Sequence, residues 1–250
     1  MAFKQLEERL DPNFYDNYLE IFGGIKEPFH STLKYMLDIA ATLDEVKLGK
    51  EYVLYGGYGV LTHLADQFGE RIIPTWRGSH DIDIIGTEKV AGTLKSFYNI
   101  QNGSKNHNVG GKRTLHIVGE DSECKVDLSL KNQKEYLEYR EEKNLFGVPI
   151  SVLNPYKIIR SKLNLYQEEP INKEGRLKHD IDILTLLGII QLKNGTIGEV
   201  VEGLNLNMRA DLLRILESGK GVTGNMRMNF GPKPEFRKLL TKYLKQHKVN

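Results

Sequence analysis

The sequence predicts an α+β fold: an α/β domain over residues 1–153 followed by an all-helical domain over residues 154–250. Three observations predict it. Short runs with the spacing of strands end at Leu153, while apolar residues at three- and four-residue steps dominate the rest of the chain. Asn154-Pro155 punctuates the change, with the proline placed to open a helix. At 250 residues the chain has room for one large domain or two modest ones, and neither half carries a repeat or a low-complexity tract.

Each element has its own pattern. Leu33, Met36, Leu37, Ala40, Leu43 and Val46 set helical spacing from His30 to about Leu48. Tyr52 to Tyr55 is a short apolar run stopped by Gly56-Gly57, and helical spacing resumes from Tyr58 to Phe68. His80 to Ile85 alternates polar and apolar residues as a half-buried strand does, and Glu88 to Tyr98 is helical again through Val90, Leu94 and Phe97. Arg113 to Val118 and Cys124 to Leu130 read as two strands of a hairpin joined through Gly119 to Ser122. Val148 to Leu153 is a last strand. Helices are then expected at Tyr156–Tyr166, His179–Gln191, Ile197–Leu204, Ala210–Glu217 and Pro234 to about Lys245.

Composition narrows the class. With 40% hydrophobic and 27% charged residues, wholesale disorder is excluded. No apolar run approaches the roughly 20 residues that cross a bilayer, and the acidic start lacks the apolar stretch of a secretory signal. The single cysteine, Cys124, rules out an internal disulfide and a cysteine-rich zinc site. A soluble, cytoplasmic protein with no membrane partner is expected. The net charge of +2 implies no nucleic-acid partner by itself, yet residues Met208 to Asn250 carry 10 Lys/Arg against 3 Asp/Glu. That basic segment either lines solvated helix faces or steers a polyanion.

Chemistry concentrates in two places. In His80-Asp81-Ile82-Asp83-Ile84, strand alternation puts Asp81 and Asp83 on one face and Ile82 and Ile84 on the other. Two adjacent carboxylates repel, and a divalent cation relieves that repulsion. Asp127 lies in another apolar-flanked strand; if the two strands pair, three acids meet on one sheet face. Three carboxylates with Mg²⁺ suit phosphoryl transfer, in which two ions clamp the attacking and leaving oxygens and a carboxylate takes the proton of the incoming hydroxyl. Gly56 and Gly57 at a strand-to-helix turn let backbone N–H groups approach a triphosphate, and Arg77 and Ser79 precede the acid pair as further phosphate contacts. Each piece alone has a plainer reading as a turn or a solvated strand face; their order along the chain is what favours a metal site. Trp76 and Tyr58 either stack on a base or pack in the core, and His80 and His179 are ordinary histidines rather than metal ligands.

The second place is helical. Lys162 interrupts the apolar stripe of Ile158, Ile159, Leu163 and Tyr166, so it either reaches past the stripe to solvent or meets an anion. Lys178 and Asp182, four apart, and His179 and Asp182, three apart, share a helix face. Asp182 lies among Ile and Leu residues, where a charge requires a partner.

The ordered set Gly56-Gly57, Arg77-Gly-Ser79-His-Asp81-Ile-Asp83 and Asp127 resembles the DNA polymerase beta-like nucleotidyltransferase superfamily. With Asn154-Pro-Tyr-Lys-Ile-Ile-Arg-Ser-Lys162 and Lys178-His179-Asp180-Ile-Asp182, it looks most like the AbiEii-type toxin nucleotidyltransferases; aminoglycoside and lincosamide nucleotidyltransferases share a similar opening. The resemblance spans about Val53 to Leu187. It implies a nucleotidyltransferase core with a mixed sheet, bearing N-terminal helices, and a cytoplasmic enzyme that moves NMP from an NTP to an acceptor hydroxyl and releases pyrophosphate. The implied metal ligands are Asp81, Asp83 and Asp127, holding two Mg²⁺ with Mn²⁺ as a substitute. Lys162 is implied at the triphosphate and Asp182 in support of nucleotide or metal. His179 stands where the family often has Asp, which leaves open whether Asp180 or Asp182 faces the site. With the basic tail, the acceptor expected is RNA, in particular the end of a tRNA, and an antitoxin protein is a family-implied partner. The rivals are a small-molecule nucleotidyltransferase, a metal-dependent glycosyltransferase and a non-catalytic nucleotide-binding module.

Overall fold

The computed structural model describes residues 29–76, 78–102, 112–118, 123–130, 133–168, 173–218 and 230–247. It divides into two compact units, Met1–Asn154 and Pro155–Asn250. No helix among the described residues is long and apolar enough to cross a membrane.

The first unit runs α1 (Phe29–Glu45), β1 (Tyr52–Leu54), α2 (Gly56–Phe68), a 3₁₀ turn (Glu70–Thr75), β2 (Asp81–Gly86) and α3 (Glu88–Phe97). It continues through β3 (Ile100–Asn102), β4 (Lys112–Val118), β5 (Glu123–Ser129), α4 (Gln133–Glu138), β6 (Arg140–Leu145) and β7 (Val148–Leu153). Its seven strands form one sheet in the order β3-β4-β5-β2-β1-β7-β6. The β2–β5 and β1–β7 pairs are parallel and the others antiparallel, so the sheet is mixed, as the resemblance implies. Central β1 is buried at every residue, which is why it reads as an unbroken apolar run. α1 packs on β2, β5 and β7 through Leu33, Met36, Leu37 and Leu43, all at most 2% exposed. Its buried acid, Asp38, accepts a 2.7 Å hydrogen bond from the Tyr98 hydroxyl.

Most departures from the sequence pattern are additions. The β4–β5 hairpin pairs from Lys112↔Ser129 to Val118↔Glu123, with its connecting residues outside the described set. The pattern does not predict β3, α4 or β6. β6 reads Arg-Glu-Glu-Lys-Asn-Leu, with no apolar alternation, because it is an edge strand whose charges guard its open side. It joins β7 through Phe146-Gly147, both at positive φ (52° and 77°), the two-residue turn that matches hairpin twist. Phe146 adopts this conformation with its ring buried and its N–H given to the Glu70 carboxylate.

The second unit is α5 (Pro155–Glu168), α6 (Lys173–Leu192), α7 (Ile197–Val201), α8 (Leu206–Ser218) and α9 (Pro234–Gln246). α6 is buried all round over Ile183–Ile190, as a central helix must be. Gly188 is required there: a Cβ would stand 1.9 Å from the Phe230 carbonyl oxygen. α6 begins six residues before the expected His179, since its polar first turns carry no apolar period. α8 begins four residues before Ala210, with Asn205 accepting the Met208 N–H as its cap. α7 stops at Val201, three residues short of Leu204, after opening on a capping box between Thr196 and Glu199.

Candidate active site

β2 and β5 run parallel and in register, with Asp81 opposite Lys125 and Asp83 opposite Asp127. One face of this pair carries those four side chains, and the other buries Ile82, Ile84, Val126 and Leu128 in the core. One carboxylate oxygen from each of Asp81, Asp83 and Asp127 lies within 4.8 Å of the others. Asp127 is buried at 4% exposure, while Asp81 and Asp83 are half-buried.

Three neighbours shape the cluster. Lys125 Nζ is 2.9 Å from Asp127 Oδ2 and 3.8 Å from Asp81 Oδ2. The Ser79 hydroxyl donates to Asp81 Oδ1 at 3.0 Å, and Ser79 is itself held by its carbonyl, which accepts from the Tyr58 hydroxyl at 3.4 Å. Tyr55, at the end of β1, gives its N–H to the Asp83 carbonyl at 3.0 Å. Burial, then the charges of Asp83, Asp127 and Asp81, hold the Tyr55 phenol well above its usual pKa, so it remains a neutral donor. Cys124, next to Lys125, is no nucleophile: burial and then Asp81 push its thiol up to about 12.

Gly56 stands at φ 61°, and a Cβ there would lie 1.9 Å from Asp83 Oδ2. The glycine therefore serves the carboxylate directly: helix and acid approach each other only because the side chain is missing. The helix starts at Gly56 rather than at Tyr58, so Gly56 and Gly57 form its first turn. Tyr55 provides no side-chain cap for the N–H groups at this helix start. Tyr58 is fully buried with its ring centroid 5.1 Å from that of Trp76, so both pack as core. His80 is exposed and His179 stands edge-on to Tyr166, neither within the acidic cluster. Arg77 lies outside the described residues.

The second unit brings together Lys162 and Asp182. Nζ of Lys162 on α5 is 2.7 Å from Oδ2 of Asp182 on α6, and the side chains are 4% and 1% exposed. The lysine therefore meets an anion rather than reaching past the stripe to solvent. Asp180 has a different set of partners: the Tyr166 hydroxyl donates to Oδ1 at 2.6 Å, and Arg214 of α8 binds both oxygens at 3.2 Å. Each acid thus has its own cation, and two residues of helical rotation send them to different neighbours. On α9, Lys238, Lys242 and Lys245 are exposed at helical spacing, with Lys245 2.9 Å from Glu217. Sequence reasoning overlooked Lys125, Tyr55 and Arg214. For Lys125 the signal was there: it is two residues before Asp127 in a strand, hence on the same face.

No protein-family model matches the sequence, and no curated protein matches it. Among solved structures, the chain is similar to the crystal structure of an antigenic nucleotidyltransferase-like protein from Paracoccidioides brasiliensis. The TM-score is 0.51 at 16% identity, covering 81% of this chain and 94% of that one. The chain therefore has a nucleotidyltransferase-like fold, with an acidic triad suited to a metal ion on its sheet.

Proposed function

We propose that the protein is a Mg²⁺-dependent nucleotidyltransferase that transfers NMP from an NTP to a hydroxyl of RNA, a tRNA end above all, in the manner of the toxin-like group. The observation that carries this reading is the convergence of Asp81, Asp83 and Asp127 beside an uncapped helix start. Three carboxylate oxygens within one ion's reach fit a hard divalent cation, since Mg²⁺ takes oxygen ligands and keeps positions for phosphate and water. When bound, such an ion supplies polarisation of the phosphoryl oxygens and screening of the charge that develops in transfer.

The chain's own groups then divide the work. N–H groups at Gly56 and Gly57 hold triphosphate oxygens, with Arg77 as a further cation. Ser79 fixes the orientation of Asp81 through their hydrogen bond. Asp127 accepts the proton of the acceptor hydroxyl as its oxygen bonds to the α-phosphorus; the bond from that phosphorus to the bridging oxygen breaks, and pyrophosphate leaves. The lysines of α9 suit a phosphate backbone, which favours RNA over a small acceptor.

Label transfer tests it. Purified protein is incubated with Mg²⁺ and each α-labelled NTP, with and without total tRNA, beside Asp81→Asn. Label on RNA from one NTP, lost in the variant, is the expected result. Label on the protein, or on a small cationic acceptor only, replaces the RNA assignment. No transfer to any acceptor while NTP still binds leaves a nucleotide-binding module.

A further inference from the structure

We infer that Lys125 is the resident counter-cation of the triad, which a divalent ion must displace from Asp127 and Asp81; the inference rests on the proposed metal site. Three carboxylates carry three negative charges, and the register of β2 and β5 brings one ammonium to them. Lys125 Nζ sits 2.9 Å from Asp127 Oδ2 and within 4 Å of Asp81 Oδ2, so two of the three acids already share a cation. Asp127 is 5% exposed at its side chain, and a carboxylate so far from water needs a charged or donating partner. Lys125 answers that need.

The same lysine differs from a permanent structural partner in one respect: its side chain is 44% exposed. An ammonium on a flexible four-carbon stem at the surface returns to water at little cost. Its counterpart Lys162 is 4% exposed and has no such exit. An ion bound to the carboxylate that Lys125 contacts stands close to that ammonium, and like charges at such range repel. Ion and ammonium therefore compete for the acids. Lys125 holds Asp127 and Asp81 convergent in the ion's absence and weakens the ion's binding by its charge. It is a positioning residue. A merely structural lysine behaves differently: removing it splays the acids and loosens metal binding, whereas removing a competitor tightens it.

Mn²⁺ binding to the full-length protein separates the two. Free Mn²⁺ is followed by its electron paramagnetic resonance signal for wild type, Lys125→Met, Lys125→Gln and the charge-keeping Lys125→Arg. Loss of one unit charge beside a divalent ion is expected to tighten Mn²⁺ binding by about tenfold in the Met and Gln variants, with Arg near wild type. In chelator, both neutral variants are expected to melt a few degrees below wild type, and saturating Mn²⁺ to raise their melting temperature more than it raises that of wild type. Equal or weaker Mn²⁺ binding in Lys125→Met and Lys125→Gln overturns the role of Lys125 while leaving the metal site standing. Absence of Mn²⁺ binding in wild type, unchanged in Asp83→Asn, overturns the metal-site reading and this inference with it.

Discussion

The two units each hold acids beside a lysine, and they treat the charge in opposite ways. On the sheet, among the described residues, three carboxylates meet beside an ammonium whose side chain is half-exposed, so this cation stands in reach of water. Between α5 and α6, one acid meets one base at 2.7 Å with almost no exposure, and the charge is closed off. Both motifs look alike in sequence: an acidic residue in an apolar stretch with a lysine at structural spacing. What separates them is how far each lysine reaches solvent. Excess charge at a surface is relieved by recruiting a cation, whereas balanced charge in the interior is a clamp that is costly to open.

The widest separation is expected between acids of the two kinds. Asp83→Asn or Asp81→Asn is expected to lower transfer at least about a thousandfold, roughly 4 kcal/mol of transition-state stabilisation. The melting temperature should hold or rise, because a repelling charge has left the cluster. Label transfer and a thermal melt on the same preparation check both halves, and full activity in both variants moves the chemistry elsewhere. Lys162→Met should do the reverse to stability. It removes the ammonium that Asp182 meets in the interior and is expected to cost about 3–5 kcal/mol, while Lys162→Met combined with Asp182→Leu recovers most of it. Denaturant unfolding measures this; a single variant as stable as wild type would mean that Asp182 is satisfied without Lys162.

How much of this contrast is legible in the sequence depends on where the information lies. Alternation puts Asp81 and Asp83 on one face, and the apolar neighbours of Asp127 mark its strand, because strand period is a local property. That β2 and β5 pair, parallel and in register, is only conditional in the sequence, since register is fixed by the whole sheet. The Lys162 stripe shows a charge in apolar company but not its partner, which comes from another helix twenty residues on. β6 escapes notice for a related reason: an edge strand needs no apolar face to be recognised by. In the sequence Gly56 reads as access for a phosphate, whereas its nearest obligation is room for Asp83. Only the fold reveals that contact.

Gly56→Ala sharpens the contrast at its most crowded point. A Cβ must adopt φ near 61° and displace the Asp83 carboxylate, for about 1–2 kcal/mol of backbone strain in addition to the clash. Mn²⁺ affinity is expected to fall together with stability, in contrast to Asp83→Asn, where affinity falls and stability does not. An alanine variant with unchanged metal affinity would mean that Asp83 can move aside without leaving the cluster.

Glu70 provides the intermediate case, and the smallest effect. Among the described residues it is neither clustered with other acids nor paired with a base; its carboxylate accepts the Phe146 N–H at the β6–β7 turn. Burial raises its pKa above the ordinary carboxylate value, and that hydrogen bond offsets part of the rise. A raised pKa means that the folded chain binds this proton more tightly than the unfolded chain does. The resulting stabilisation is complete below the ordinary carboxylate range and is lost as pH rises through the folded value. Glu70→Gln keeps a neutral group at every pH, so its stability relative to wild type should rise from about pH 4 to about pH 7. Urea unfolding of both proteins at the two pH values measures the difference. A difference that does not change with pH would mean that the hydrogen bond from the Phe146 N–H fully offsets the effect of burial on this carboxylate.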